Sequence, residues 1–501
     1  MKKEILIALE ANEKRVAILE AGQMEEFYIE RADTSKMFGN IYKGKVKSVV
    51  RGIGAAFIDL GMKKDGFLYV ADAVDSPLAE STYEDVETEE HERKEKVPIP
   101  RIDEVLKVGQ EIIVQVVKEP IRGKGARLTT HFSIPARYLV LMPGDRRVGI
   151  SRRIEDRTER DRIRKIFAEI DFPEGIGFIV RTAGEGKSKK EFVRDVKYLL
   201  KMWERIKREI DKQKAPCLIH EELDLVERII RDFFAEETDS LVVDHYGMYS
   251  QVKRFFKLYI PDYQPQLDWY RGQVPLFEKY NIEKEIAKTF QRNVILPSGG
   301  HIVIEQTEGL VAIDVNTGKF TGKRNLEETV YKTNMEAAQE IARQMRLRDI
   351  GGIIVVDFID MLEADHRRRL YRGFRDAIRK RDRAKTNIMP MSDLGLIELT
   401  RQRIRPSLES AVYDACHYCR GKGVIKSTST MSIQTVKEIK RALNTSKGKI
   451  LNVYVHPQVA DRLLNQEQKT IQELEVLSKS RVMVLADPVL HIEDINITFI
   501  Q

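Results

Sequence analysis

Apolar positions along this chain change their period several times, and each change marks an element. Residues 1–37 carry two apolar runs about a turn at Ala11-Asn12-Glu13, the pattern of a β-hairpin. They are too few to fold alone and are expected to pair with a later segment. From residue 40 to 70, short strands alternate with glycines, bases and aromatics, and VGQEIIVQVVKEP at 108–120 reads as a closing strand. This is the texture of an OB barrel. The stretch between them, about 73–104, is rich in Glu, Asp and Lys and reads as an exposed loop. Basic strands are expected over 122–153 and a charged helix over 156–170. GFIVRTAGEGKSKKEF, 177–192, reads as strand, glycine-bearing turn and helix start, and 189–212 as a long helix that Pro216 closes. Residues 221–262 read helix, strand, helix, strand, and are expected to complete the sheet begun by the amino terminus.

The clearest pattern lies between Gly309 and Met361. GLVAIDVNTGKF and IGGIIVVDFIDM are apolar runs, each reaching an aspartate, Asp314 and Asp357. Between them Leu326, Val330, Ala337, Ile341 and Met345 recur at helical spacing. That predicts a strand, a crossover helix and a second strand. Parallel neighbours would place both carboxylates at the carboxyl edge of the sheet, where open α/β sheets take ligands. LPSGGHIVIEQTEG, 296–309, is a glycine turn and hairpin leading in, and a basic helix with eleven His, Arg and Lys positions between His366 and Lys385 leads out. So dense a positive run beside a carboxylate site points to a phosphate backbone. Residues 425–501 read helix, strand, helix, strand, a small α/β domain suited to assembly.

Composition narrows this picture. A chain of 501 residues holds several domains, and 42 % hydrophobic residues can build their cores. With 33 % charged residues and a net charge of +7, the chain suits a polyanionic partner. No run of ~18 apolar residues occurs, and the first apolar stretch is broken by Glu10, Glu13, Lys14 and Arg15, which excludes a signal peptide. Three cysteines, Cys217, Cys416 and Cys419, make no disulfide framework and fit a reducing cytoplasm.

The candidate chemistry has competing readings. Two carboxylates side by side repel unless a cation joins them, and Mg2+ suits one or two carboxylates plus waters and phosphate oxygens. Asn316 falls on the same side of an extended chain as Asp314 and can orient such a site. The competing reading, that both aspartates cap turns or helices, stays open on spacing alone. Asp360 reads as a helix N-cap or a supporting group. Phe57 and Phe67 are either barrel core or a base-stacking face. Arg181 and Lys187 flank a helix start that suits an anion, although the spacing is not that of a P-loop and a surface salt bridge would also explain Arg181. Cys416 and Cys419 supply two thiolates where structural zinc takes four ligands. A second copy of the chain, or His417 and others, would complete the site, or the pair is redox-active. The βαβ context expected of a thioredoxin-like motif is missing from this reading, so a zinc shared across a two-fold axis is preferred. Cys217 is expected to be inert.

Together AIDVNTG, RLRDIGGIIVVDFIDM, FIVRTAGEGKS, LVLMP, RQRIRPSL and the C-x-x-C-x-G-x-G knuckle, in their order and spacing, resemble the ribonuclease E/G family, in particular its short, ribonuclease G-like members. The resemblance covers nearly the whole chain. It implies a multidomain α/β protein: an RNase-H-like domain split between 1–37 and 221–288, an OB-fold RNA-binding domain at 38–119 and a 5′-sensor region at 120–220. A deoxyribonuclease-I-like catalytic domain at 289–411, a zinc link at 412–424 and the small domain at 425–501 follow. It implies a Mg2+-dependent endoribonuclease that cuts single-stranded RNA to 5′-phosphate and 3′-hydroxyl ends, is stimulated by a substrate 5′-monophosphate, and serves rRNA and other RNA processing and mRNA decay. In that family pattern Asp314 and Asp357 would hold Mg2+ and Asn316 would orient the site. Phe57, Phe67, Lys118 and Lys124 would contact RNA. Arg181 and Thr182 would bind the 5′-monophosphate, with Val140 as an apolar contact and Lys385 at the place of a further sensor arginine. Cys416 and Cys419 would form half of an interchain Zn2+ site in a homodimer or tetramer.

Three residues depart from the pattern: Ala136 replaces a glycine, Lys385 replaces an arginine and so lacks the bidentate fork, and His417 replaces a proline. The chain ends soon after the small domain, so a free cytoplasmic enzyme with no degradosome scaffold tail and no membrane segment is expected. The competing functions are a non-catalytic RNA-binding assembly protein and a nuclease for single-stranded DNA.

Overall fold

A computed structural model describes residues 3–31, 37–74, 86–87, 100–120, 125–144, 147–234, 238–259, 266–318, 326–403, 407–445 and 450–500. The chain divides into two compact units. One comprises Met1–Leu347, Ile354–Arg383 and Ile388–Leu399, and the other Arg348–Ile353, Ala384–Asn387 and Thr400–Gln501.

In the first unit the amino-terminal hairpin forms as its pattern requires. Lys3–Glu10 pairs antiparallel with Glu13–Glu20, and Ala11 takes φ 48° in the turn. A third strand, Gln23–Arg31, extends it. On its other side Lys3–Glu10 pairs in parallel with Thr238–Val243, the later partner that so short a hairpin needs. Helices Leu225–Phe233 and Tyr246–Tyr259 supply Val226, Ile230 and Val252 to a core with Ile5, Ile7, Val16 and Ile18.

Ile41–Val50, Ala55–Asp59, Gly66–Tyr69, Arg127–Thr129 and Glu111–Lys118 close into a barrel, because Glu111–Lys118 pairs with both Arg127–Thr129 and Ile41–Val50. Alternation sends Val46, Ile58, Leu68, Val114 and Leu128 inward. The barrel is tight at Gly66, where a Cβ would stand 2.5 Å from Leu128 Cδ1. Most of the acidic insertion at 73–104 lies outside the described residues, as does Lys124.

The sheet of Leu139–Pro143, Ile176–Val180 and Val148–Ser151 packs on helices Arg157–Ala168 and Lys189–Lys212 through Leu139, Leu141, Ile163, Phe178, Phe192 and Leu199. The start of Lys189–Lys212 corrects one expectation. Ser188 N–H donates to Glu191 at 2.7 Å, and Gly186 N–H donates to Glu159 at 2.7 Å. Carboxylates of the chain itself take the donors assigned above to an external anion, and Lys187 lies 3.8 Å from Glu191.

A further sheet runs in the order Asn293–Ile295, His301–Gln306, Leu310–Asn316, Gly352–Asp357, Leu396–Arg401, Thr386–Ile388. Helix Leu326–Leu347 connects Leu310–Asn316 to Gly352–Asp357 and buries Val330, Ala337, Ile341 and Met345, the expected stripe. Helix Ala364–Arg381 buries Leu370, Phe374 and Ile378 and leaves most of its arginines exposed. Its N-cap is Glu363, so Asp360 is not the cap the spacing suggested. Arg343 donates from Nε and Nη2 to Met24 O at 2.9 and 2.7 Å, and Arg346 pairs with Glu25, which fastens helix Leu326–Leu347 to strand Gln23–Arg31.

In the second unit Ile450–Val455 pairs in parallel with Arg481–Ala486 across helices Pro457–Asn465 and Gln468–Ser478. The βαβ context read as missing is therefore present, and Ile495–Ile500 adds an antiparallel strand. Val476 and Leu477, on the second of these helices, are about four-fifths exposed.

One buried carboxylate gives this fold a pH dependence. Asp195, on helix Lys189–Lys212, accepts the Tyr138 N–H at 2.7 Å. Burial outweighs that bond and the Leu139 N–H, and pushes its pKa from 3.8 to about 6. The folded state thus holds a proton that the unfolded chain has released, so the contribution to stability is full below 3.8 and is lost as pH rises through about 6. Relative to the parent, Asp195→Asn should gain stability from about pH 4 to about pH 7, by roughly 3 kcal/mol at most. Thermal unfolding of both proteins across that range measures the gap, and a gap independent of pH contradicts the assignment.

Candidate active site

Asp314 and Asp357 lie on neighbouring strands. Leu310–Asn316 alternates, with Val311, Ile313 and Val315 buried and Asp314 exposed on the opposite face. Asp357 ends its strand and is exposed too. Its carboxyl is pushed above the usual range by partial burial, then by the charges of Asp314 and Asp360. The two expected carboxylates are therefore together, and Asp360 belongs to the same acidic edge. Asn316 Nδ2 donates to Asp314 Oδ2 at 2.5 Å, on the side of the strand that the spacing indicated.

The backbone beyond Asp357 is held from the crossover helix. Asn334, fully buried, donates from Nδ2 to Ile359 O at 2.8 Å and accepts the Ile359 N–H at 3.1 Å. Glu327 accepts the N–H groups of Leu362 and Glu363 at 3.2 and 3.0 Å and contacts His366, on which Tyr331 stacks. Sequence reading missed Asn334 and Glu327. Their signal was present, because a wholly buried amide inside an apolar stripe needs partners for both its donor and its acceptor. Among the described residues, no group of three or more His, Cys, Asp or Glu stands ready to hold a metal. Two hard carboxylates with open positions fit Mg2+, which keeps waters and takes phosphate oxygens.

On the barrel, Phe57 and Phe67 stand directly opposite each other on adjacent strands, half-buried, with ring centres 5.4 Å apart. Their neighbours Ala56, Ile58 and Leu68 fill the interior. Both phenylalanines therefore belong to the outer face and not to the barrel core. Tyr69 extends the platform 4.4 Å from Phe67, and Arg127 lies over Tyr69 while pairing with Asp72 at 2.9 Å. Neither Tyr69 nor Arg127 was singled out from sequence. Lys118 is exposed and opposite Arg127.

Arg181 follows strand Ile176–Val180, and its N–H donates to Tyr138 O at 2.8 Å. Its Nη1 donates to Ala136 O and to Asp232, each at 2.7 Å, so a salt bridge is present, but a partly buried one. Thr182 is exposed, with its hydroxyl 3.3 Å from that of Ser151. Val140 is half-buried opposite Ile179. Lys385 belongs to the second unit, where its carbonyl accepts the Gln402 N–H.

The knuckle Cys416–Gly423 turns through left-handed Arg420, Gly421 and Gly423. The Cys416 thiol is held below its usual pKa by the N–H groups of Cys419 and Tyr418, then by the Cys419 side chain. Gly423 N–H donates to Cys419 Sγ at 3.3 Å. Two neighbouring sulfurs with such donors fit half of a tetrahedral zinc site.

Among the described residues no helix is long and apolar enough to cross a membrane. Residues 35–130 match the S1 RNA binding domain, so the barrel is an OB fold of that type. Residues 415–500 match the thioredoxin-like domain of RNase E/G, and residues 133–404 match the ribonuclease E/G family. The chain is 39 % identical to ribonuclease G of Escherichia coli (strain K12) over 497 residues, 99 % of each chain. Ribonuclease G of Haemophilus influenzae is 39 % identical over 96 % of each chain. Ribonuclease E of the same organism is 40 % identical over 95 % of this chain and 49 % of its own. With these matches spanning the aspartate edge, the barrel and the knuckle alike, the chain belongs to the ribonuclease E/G family as a ribonuclease G-like member.

Proposed function

We propose that this protein is a Mg2+-dependent endoribonuclease that cuts single-stranded RNA to 5′-phosphate and 3′-hydroxyl ends and works faster on 5′-monophosphorylated substrates. As a member of its family it is an endoribonuclease acting in RNA processing. The metal, the end preference and a part in mRNA decay are our reading. The observation that carries it is the juxtaposition of Asp314, Asn316 and Asp357 at one open sheet edge, with the following backbone clamped by Asn334. Asp314 and Asp357 would hold Mg2+, which when bound activates a water and stabilises charge on the scissile phosphate. Asn316 fixes the orientation of Asp314. The Phe57–Phe67 pair and Tyr69 stack unpaired bases, which favours single strands over duplex, and Lys118 and the basic helix Ala364–Arg381 meet phosphates.

In this reading the amino-terminal sheet with 221–288 is RNase-H-like, residues 289–411 are deoxyribonuclease-I-like, and the region 120–220 senses the 5′ end through Arg181 and Thr182, with Val140 as a further contact. The knuckle shares one Zn2+ between two chains, in a homodimer or a tetramer of the cytoplasm.

Asp314→Asn should lower cleavage of a single-stranded RNA at least roughly 100-fold while leaving its binding nearly intact; undiminished cleavage removes this edge as the active site. A 5′-monophosphorylated RNA should be cut faster than its 5′-hydroxyl twin, and Arg181→Ala should bring the two rates together. Equal rates in the parent protein would refute the sensor. Elemental analysis of the purified assembly should find about one zinc for two chains; one zinc per chain contradicts sharing.

A further inference from the structure

Arg181 is held in an unequal way. Its Nη1 carries two hydrogens, and both are used: one on Ala136 O and one on Asp232 Oδ1, each at 2.7 Å. Nε and Nη2 have no partner among the described residues, and the side chain is 27 % exposed. The guanidinium plane is thus pinned at one corner, while its Nε–Nη2 edge, the edge that makes bidentate bonds to phosphate oxygens, stays open.

Asp232 is itself held firmly. Arg231 donates to Asp232 Oδ1 from Nε at 3.1 Å and to Oδ2 from Nη2 at 3.2 Å, and its Nη1 donates to Glu222 at 2.6 Å. The charges of Arg181 and Arg231 hold the Asp232 carboxyl well below its usual range despite its burial. It is therefore ionised at any working pH. Glu222, Arg231, Asp232 and Arg181 alternate in sign along this network. Asp232 lies on helix Leu225–Phe233, whose remaining job is to cover the amino-terminal sheet.

The geometry points to Asp232 as the positioning residue of the 5′-phosphate pocket: it fixes Arg181 by Nη1 so that the Nε–Nη2 edge is presented to the terminal phosphate. This assignment rests on the reading of Arg181 as the phosphate contact. It gives the amino-terminal sheet, which carries no reactive constellation of its own, a part in substrate choice.

The test is equilibrium binding to the full chain without divalent ions, so that no RNA is cut. Fluorescence anisotropy compares a 3′-labelled, 5′-monophosphorylated oligonucleotide with its 5′-hydroxyl twin. The ratio of the two affinities is internal to each protein and insensitive to the fraction folded. The parent should prefer the phosphorylated strand. Asp232→Ala should lose most of that preference, roughly tenfold, with the hydroxyl twin bound as before. Asp232→Asn should keep it, because the amide oxygen still accepts from Nη1. An unchanged ratio in Asp232→Ala, or equal loss in Asp232→Asn, overturns the proposal. So does tighter phosphate binding by both variants, which would make Asp232 a competitor for Arg181. A parent that binds both strands equally overturns the sensor reading itself, and this proposal with it.

Discussion

The repulsion between Asp314 and Asp357 is the constraint around which the sheet that carries them is organised. Two like charges on neighbouring strands push apart, and the Asp357 carboxyl is raised above its usual range by burial first and then by the charges of Asp314 and Asp360. Keeping both carboxylates side by side requires rigid backbone that resists the separation. The chain does this from behind. Asn334 grips both backbone groups of Ile359, Glu327 takes two N–H groups at the start of the next helix, and Asn316 neutralises part of the demand on Asp314. Each clamp comes from the crossover helix or from the strand itself, so the helix is as much a part of the site as the strands it joins.

That helix must in turn be anchored, and the anchor is electrostatic. Arg346 and Arg343 reach Glu25 and the carbonyl of Met24 on the third strand of the amino-terminal sheet, and Arg381 adds a further cation near Glu25 at 3.5 Å. Buried ion pairs of this kind contribute less to net stability than apolar packing of the same volume. Their directionality is what serves here: a guanidinium that must meet a particular carbonyl and carboxylate admits one position of the helix, where an apolar contact would tolerate sliding.

Much of this was legible in the sequence. The stripe from Val330 to Met345 buries as its spacing requires, and the apolar runs ending at Asp314 and Asp357 are adjacent strands because a crossover helix of that length returns the chain beside its start. The amino-terminal hairpin announced its need for a partner, and found Thr238–Val243. What was not legible depends on contacts distant in sequence. The N–H groups at the start of helix Lys189–Lys212 looked available to an anion because Glu159 stands 27 residues before Gly186. Asp360 looked like a cap because the helix start three residues on, at Glu363, is set by Glu327 from another element. Phe57 and Phe67 could be core or face until strand register placed them opposite one another on the outside. The alternation of helix and strand over 425–501 was legible, but not that its two strands pair in parallel, because register is set by contacts between segments and not within either one.

The amino-terminal sheet, without reactive groups of its own, anchors two other regions of the chain. One face of it supplies Glu25 and the Met24 carbonyl to the helix behind the aspartates, and its covering helix supplies Asp232 to Arg181. Helix Ala364–Arg381 runs ~27 Å, from the loop that follows Asp357 to a carboxyl end where Arg153 donates to Asp382 O at 3.1 Å and Arg383 O at 2.8 Å. Arg153 stands two residues past Ser151, which touches Thr182, and Arg383 lies over Phe233, the neighbour of Asp232. The aspartate edge and the Arg181 corner are thus referred to the same frame by arginines that bond to backbone carbonyls, groups that mutation of the partner residue leaves in place. Such a frame depends on backbone groups and not on the side chains that carry them: at Ala136, Arg181 takes the carbonyl.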